Sequence, residues 1–317
     1  MLCGLPGFHS GQPNPHGSQR IYPFQAAYHG GENGKEVGPK VLLGANVDMT
    51  PFVKWAGGKG QLVDRIKELM PEHYNRYYEP FIGGGALLLA VQPKDGCIND
   101  INESLINAYR VIRDDPESLI SAIGALSQVA CTRMVYTAYR EAYNQLVGEG
   151  TYNTNTAALF IFLNKHCFNG LYRVNSRGEF NVPWNNKETG ASISPENILE
   201  LSKFLKSIEI HCGDFEEAVK DAKARDFVFF DSPYAPLKRD SFESYTKDKF
   251  SEQEHRRLAN LFRDLTERGC FCVATNHDTE LVRELYQGYD IQTVVVRRSI
   301  NSDAEKRTGT EVIIRNF

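Results

Sequence analysis

The chain has 317 residues, with 36 basic against 40 acidic side chains and a formal net charge of −4. That length fits about two domains, or one large domain with an insertion, and the 41% hydrophobic and 11% aromatic content excludes a wholly disordered chain. No apolar run reaches the roughly 18 residues of a membrane span, and the acidic balance excludes a surface coated in basic charge while allowing a local basic groove.

Residues 1–48 hold 9 of the 26 Gly and 5 of the 14 Pro. Neither strand nor helix periodicity lasts there, so this leader is expected to be disordered. His9, His16 and His29 are scattered through it and read as incidental. From Thr50 onward strands and helices alternate. Gln61–Met70 has apolar residues at helical spacing, and Arg76–Phe81 reads as a strand. Ala86–Val91 reads as a helix, Gly96–Asp100 as a strand ending in an acid, and Asn102–Ile112 as a helix. Pro116 to about Leu163 is helical, with breaks near residues 127–132 and 148–155. Residues 164–187 lose that period. Ser194-Pro195-Glu196 starts another helix, followed by a strand at Ile208–His211 and an apolar strand at Asp226–Asp231. Ser251 and Glu254 form a capping box for a helix that stops at Gly269. Phe271–Ala274, Ile291–Val296 and Val312–Ile313 complete the strands. Such alternation predicts a parallel, doubly wound sheet, interrupted by a helical and polar block at about 105–205.

Seven Cys is an odd number, and none form a C-x-x-C pair. The pattern predicts neither a disulfide framework nor a zinc site, but reduced thiols packed as small apolar residues in a cytoplasmic protein. No metal and no membrane are expected as partners, and a monomer is compatible with the sequence.

Four stretches carry chemistry. The first is Glu79-Pro80-Phe81-Ile82-Gly83-Gly84-Gly85, after a strand and before a helix, where glycines permit a tight turn and close backbone approach to a ligand. Asp100 closes the next strand, 17 residues after Gly83, where an acid accepts hydrogen bonds from ribose hydroxyls. Alone, this pattern says adenosine-containing cofactor and no more. Its spacing is not the G-x-G-x-x-G of NAD enzymes. The second is Lys54-Trp55-Ala56-Gly57-Gly58-Lys59, with Trp55 as a flat apolar face and Lys59 as a partner for a carboxylate. Without a following Ser or Thr it is no ATP phosphate loop.

The third stretch is Asp231-Ser232-Pro233-Tyr234-Ala235-Pro236-Leu237, after the most apolar strand. Asp231 can accept one hydrogen of an exocyclic amine. The main-chain carbonyl of Ser232, which Pro233 biases to an extended conformation, can accept the other. Two acceptors on one amine aim its nitrogen lone pair outward, and Tyr234 can stack on the ring. The fourth is Asn164–Lys187, where Lys165, Arg173, Arg177 and Lys187 stand against the single acid Glu179, a net of +3. Aromatics alternate there with basic and amide groups, as a nucleic-acid surface requires.

Taken in order, these stretches resemble the Dam-type DNA adenine-N6 methyltransferases over about residues 50–300. The markers are Trp55-Ala56-Gly57-Gly58-Lys59, the Glu79–Gly85 turn, Asn99-Asp100-Ile101-Asn102, Asn169-Gly170-Leu171 with Arg173, and Arg177–Pro183. Asp231–Leu237, Asn276-His277-Asp278 and Arg297-Arg298-Ser299-Ile300 follow. The resemblance implies an α/β fold: a doubly wound, Rossmann-like methyltransferase sheet with an inserted, mostly helical DNA-recognition domain carrying a β-hairpin. The catalytic domain would comprise residues 49–104 and 206–317, and the insertion 105–205. It further implies S-adenosylmethionine as cofactor, double-stranded DNA as partner, and methylation of adenine in GATC. Trp55, Lys59, Glu79, Phe81, Gly83, Gly85, Asp100 and Asp231 then match cofactor-binding positions. Asp231, Ser232, Pro233 and Tyr234 match the motif that holds the flipped adenine. Phe168, Asn169, Leu171, Arg173 and Pro183 match the recognition hairpin, where the Arg reads a guanine and the aromatic occupies the opened duplex. The family motif usually has Pro where this chain has Ser232, often Tyr at Phe168, and in some members an Arg-Tyr pair near Asn186 and Lys187. Other readings explain less. An enzyme acting on an amine of RNA or protein leaves the hairpin unused, a DNA-binding module with an inactive site rests on Ser232 alone, and an NAD oxidoreductase explains none of residues 164–187.

The leader is neutral, so the −4 belongs to residues 49–317. Against that acidic body a +3 hairpin implies DNA affinity that is local and salt-sensitive.

Overall fold

The computed structural model describes residues 49–55, 62–189, 193–237, 250–297 and 308–317. The expected disordered leader at 1–48, Lys59 with its neighbouring glycines, and Arg298-Ser299-Ile300 lie outside the described residues.

The elements follow the sequence closely. Helix α1 (Val63–Leu69) precedes strand β1 (Tyr77–Glu79), helix α2 (Ala86–Val91) and strand β2 (Gly96–Asp100). Helices α3 (Glu103–Asp114), α4 (Pro116–Leu126), α5 (Arg133–Gly148), α6 (Thr154–His166) and α7 (Pro195–Leu205) form the block before strand β3 (Ile208–Cys212). Then come α8 (Phe215–Ala218), β4 (Phe227–Phe230), α9 (Glu252–Glu267), β5 (Phe271–His277), α10 (Glu280–Leu285), β6 (Asp290–Arg297) and β7 (Thr308–Arg315). The caps explain several starts. Asn102 accepts from Leu105 N–H, Thr132 from Val135 N–H and Ser194 from Asn197 N–H, each satisfying an orphan donor of the first turn. Ser251 caps α9 as expected, but the Glu254 carboxylate accepts from Arg257 at 2.9 Å.

The seven strands lie in the order β3-β2-β1-β4-β5-β7-β6. The first five are parallel to one another, and β7 runs antiparallel to both β5 and β6. This corrects the expectation of a wholly parallel sheet. The ten residues 298–307 that join β6 to β7 fall short of the dozen or so that a parallel crossover needs. So β7 returns antiparallel and wedges between β5 and β6.

Alternation along the strands sorts the core. Phe227 and Phe229 of β4 join the cluster that includes Ile98, Tyr109 and Ile198, while Val228 and Phe230 join Phe215, Phe262 and Tyr286. Successive strand side chains point to opposite faces, so one apolar strand feeds two layers. The first cluster continues through the helical block without a break, from Phe52 and Val53 to Phe160, Phe180 and Phe229. The six cysteines among the described residues are free thiols, and five are buried. None of the helices among the described residues is long and apolar enough to cross a membrane.

Phe262 is fully buried and packs its ring against Phe230, Tyr286 and Tyr289 at 4.9–6.1 Å. Phe262→Ala leaves a cavity in a close-packed layer and lowers stability by about 3–5 kcal/mol. Guanidinium unfolding reads this as a fall in the midpoint, and an unchanged midpoint would contradict the packing described.

Candidate active site

Strand order reverses between β1 and β4, since β2 continues on one side and β5 on the other. Open α/β sheets hold ligands in the crevice beyond the carboxyl ends of the strands at such a reversal. A cavity of about 710 Å³ lies there, lined among others by Trp55, Glu79–Leu87, Asp100, Ile101, Asp214, Phe215, Asp231–Tyr234, His277 and Glu311. Its size falls within the roughly 300–1,000 Å³ of small-molecule sites.

One wall is the glycine turn after β1. Gly83 has φ +49° and Gly85 φ +72°, a left-handed geometry that strains any residue with a Cβ. Space forbids one as well. A Cβ on Gly83 would stand 2.8 Å from Trp55 Cδ1, and one on Gly85 2.6 Å from the Tyr109 hydroxyl. Gly83 N–H donates to Asp100 Oδ2 at 3.1 Å, and Asn102 N–H donates to Asp100 Oδ1 at 3.0 Å. Burial raises the Asp100 carboxyl above the usual range, opposed by these backbone donors. Glu79, 3% exposed at the end of β1, accepts from the Tyr77 hydroxyl at 2.7 Å. Burial pushes its carboxyl up to about 8, and the nearby Asp231 charge adds to that.

The opposite wall is the turn after β4. Asp231 Oδ1 accepts from the Thr275 hydroxyl at 2.8 Å, and Ser232 is 3% exposed. Pro233 and Tyr234 follow into the cavity lining. The Tyr234 hydroxyl donates to Glu311 Oε2 at 2.9 Å, and its ring meets His277 in a T-shaped contact at 4.8 Å. Asn276 Oδ1 accepts from both Ala235 N–H at 2.8 Å and His277 N–H at 2.9 Å, so the end of β5 clamps the turn. Burial drives the Tyr234 phenol well up from its ordinary value, so it stays protonated.

Of the expected cofactor residues, Trp55, Glu79, Phe81, Gly83, Gly85, Asp100 and Asp231 all line this one cavity, together with Ser232, Pro233 and Tyr234. The expected recognition residues do not: Phe168, Asn169, Leu171, Arg173 and Pro183 sit on a separate looped segment after α6. Two isolated antiparallel bridges, Cys167–Trp184 and Val174–Phe180, pair its arms in place of regular hairpin strands. Phe168 is 51% exposed, Asn169 has φ 56°, and Phe168 N–H donates to the Pro183 carbonyl at 2.8 Å. Arg173 is exposed, with Nε held by Asn181 Oδ1 at 2.8 Å.

Several lining residues were not singled out from the sequence. Asp214, Phe215, Glu254 and Glu311 all face the cavity. Arg257 binds Asp214, Glu216 and Glu254 together. The signal that was available for Asp214 was its place just past the end of a strand. One described cluster has metal-ligand geometry: Cys97, Glu209 and His211 bring ligand atoms within 4.8 Å of one another. Arg76 already holds Glu209 at 2.9 Å, and burial pushes the Cys97 thiol up to about 12. Both oppose a cation.

The Glu79 shift has a measurable consequence. Between the usual carboxylate range and about pH 8 the folded chain keeps a proton on Glu79 that the unfolded chain has released. Stability of the cofactor-free protein therefore falls as pH rises through that window. Glu79→Gln, which does not titrate, flattens this part of the profile. Urea midpoints from about pH 5 to about pH 9 test this, and parallel profiles for the two proteins would refute it.

Comparison with known proteins now adds to the geometry. The chain is 39% identical over 275 residues to the type II methyltransferase M1.LlaDCHI of Lactococcus lactis subsp. cremoris, covering 86% of this chain and 96% of that protein. It is 37% identical over 290 residues to the type II methyltransferase M.MjaIII of Methanocaldococcus jannaschii, covering 86% and 100%. To the DNA adenine methylase of Escherichia coli it is 33% identical over 269 residues, covering 83% and 93%. Matched to the family over residues 55–300, from Trp55 to beyond the end of β6, the chain belongs to the D12 class of N6 adenine-specific DNA methyltransferases.

Proposed function

We propose that this enzyme uses S-adenosylmethionine to methylate N6 of an adenine flipped out of duplex DNA, at GATC. The observation that carries the reading is that the Gly83–Gly85 turn with Asp100 and the Asp231–Tyr234 turn open into one cavity.

The lining suits the cofactor. Glu79, Asp100, Asp214, Asp231, Glu254 and Glu311 line the cavity and, among the described residues, no Lys or Arg does. Such a site attracts a ligand carrying a sulfonium and an ammonium. Asp100 would accept from the ribose hydroxyls, with Gly83 and Gly85 letting the backbone approach and Trp55 and Phe81 walling the apolar portion, and Lys59 is assigned to the methionyl carboxylate. The bound cofactor supplies an electrophilic methyl carbon on sulfur.

The chain's own groups prepare the nucleophile. Asp231 and the Ser232 carbonyl accept the two N6 hydrogens, which directs the nitrogen lone pair to the methyl carbon. With the cofactor bound, the N–C bond would form as the C–S bond breaks, the electron pair staying on sulfur. N6 then loses its proton to Asp231 or to solvent. Pro233 keeps Ser232 extended. Tyr234, oriented through Glu311 and His277, stacks on the base and offsets part of the few kcal/mol that flipping costs.

Residues 105–205 act in this reading as the inserted target-recognition domain, between catalytic portions 49–104 and 206–317. Phe168 enters the gap left by the flipped base, and Arg173 reads a guanine bidentately. Asn169, Leu171 and Pro183 complete the contact. The Lys165 ammonium is pushed below its ordinary range by burial and by the like charge of Lys54, and a phosphate beside the pair relieves that repulsion. GATC follows from the resemblance of this segment to the Dam-type hairpin.

Labelled cofactor and duplexes with GATC intact or altered at one pair test the reading. Label is expected in the GATC duplex alone, and label in neither would sink it. Asp231→Ala should abolish transfer without unfolding the chain; full activity would remove its assigned role. Arg173→Ala should cost about 1–3 kcal/mol at the guanine it reads, roughly 5- to 150-fold in discrimination. An unchanged preference would exclude it as the reader.

A further inference from the structure

Tyr172 lies between Leu171 and Arg173, two of the residues assigned to the DNA contact. Leu171 has extended dihedrals, φ −72° and ψ 149°, and both Leu171 and Tyr172 pack partly buried against the core that runs from the helical block to the sheet. Arg173 is exposed, whereas Tyr172 is half-buried against the core cluster. Its ring stacks on Trp55 at 5.6 Å and 22°, and meets Phe160 and Phe180 at 5.7 Å each. The space between Tyr172, Phe160, Phe180 and Tyr143 has no room for a water molecule, so displacing one ring presses on the others.

The stack ends at the cofactor turn. Trp55 lines the cavity; its indole Cδ1 stands 2.8 Å from where a Cβ on Gly83 would lie, and its own Cβ stands 3.3 Å from where one on Gly84 would lie. A ligand seated on that turn bears on the indole, and the indole bears on Tyr172. A second tie holds the same two segments together. The buried Asn164 amide accepts from Lys54 N–H at 2.8 Å and donates to the carbonyls of Lys54 at 2.9 Å and Gly170 at 3.0 Å. The residue before Trp55 and the residue before Leu171 are therefore fixed to one side chain.

We propose that Tyr172 is a positioning residue that couples occupation of the cofactor cavity to the pose of Leu171 and Arg173 on DNA. The proposal rests on the reading of the cavity and the looped segment given above. It requires that cofactor and target sequence each raise the other's affinity by the same factor. Binding to unrelated DNA, held by phosphate contacts, gains little.

Two measurements on the full chain test it, with S-adenosylhomocysteine as the probe. Fluorescence anisotropy gives the affinity for a GATC duplex with and without the probe, and calorimetry gives probe affinity without DNA. The wild type should tighten on GATC by about 5- to 150-fold. Tyr172→Leu should reduce that factor to about 2-fold or less while changing probe affinity without DNA by less than about 3-fold, and Tyr172→Phe should restore the wild-type factor. A retained factor in Tyr172→Leu, or none in the wild type, overturns the coupling. Hydrogen exchange on the wild type does not depend on how the variants fold. The probe should slow exchange in residues 168–184 as well as in residues 79–101. Protection confined to 79–101 overturns the coupling alone, and protection in neither overturns the cavity reading together with it.

Discussion

The indole of Trp55 stands 2.8 Å from the point where a side chain on Gly83 would begin, and the site depends on that approach. It lets the segment before α1 lie directly on the turn after β1, closing one side of the cavity. The turn in turn is held by the Gly83 N–H bond to Asp100 and by the Tyr109 hydroxyl donating to the Gly83 carbonyl at 3.1 Å. Tyr109 belongs to α3, so the first helix of the long block is tied to the same turn. A Cβ at Gly83 or Gly85 would force these partners apart.

The same contact continues outward. Trp55 stacks on Tyr172, and Tyr172 meets Phe180 at a tilt. Tyr143 touches Phe180 and donates to the Ser104 hydroxyl at 2.6 Å, which returns the chain of contacts to the first turn of α3. The helical block and the sheet therefore share one core rather than meeting at a wet interface. In an interior packed at crystal-like density, displacement at one end is not absorbed locally.

The cavity's carboxylates serve opposite ends of one problem. They gather without Lys or Arg among the described lining residues; burial raises the Glu79 carboxyl to about 8, and the repulsion of the nearby Asp231 adds to that. A cationic ligand relieves that repulsion, and the proposed reaction removes the cation's sulfonium charge. Arg257 sits just behind, gathering Asp214, Glu216 and Glu254, so part of this negative charge is balanced from outside the lining.

Much of this was legible in the sequence. α2 and β2 occupy the spans their periodicity predicted, and the breaks near 127–132 and 148–155 separate α4, α5 and α6, because strand and helix periods are local and turn residues interrupt them. The glycine turn, Asp100 and the Asp231–Tyr234 turn were readable because strand-end motifs put their chemistry where the backbone must turn. The antiparallel return of β7, the stacking of Tyr172 on Trp55, and the place of Glu311 beside Tyr234 were not. Each joins residues far apart in the chain, such as Tyr234 and Glu311 at 77 positions, and no local pattern encodes which distant partner a side chain meets. The sequence by itself determined the elements and the chemical groups at their ends. Only tertiary packing decided which of those groups share a cavity, because that follows from strand order and close approach in space.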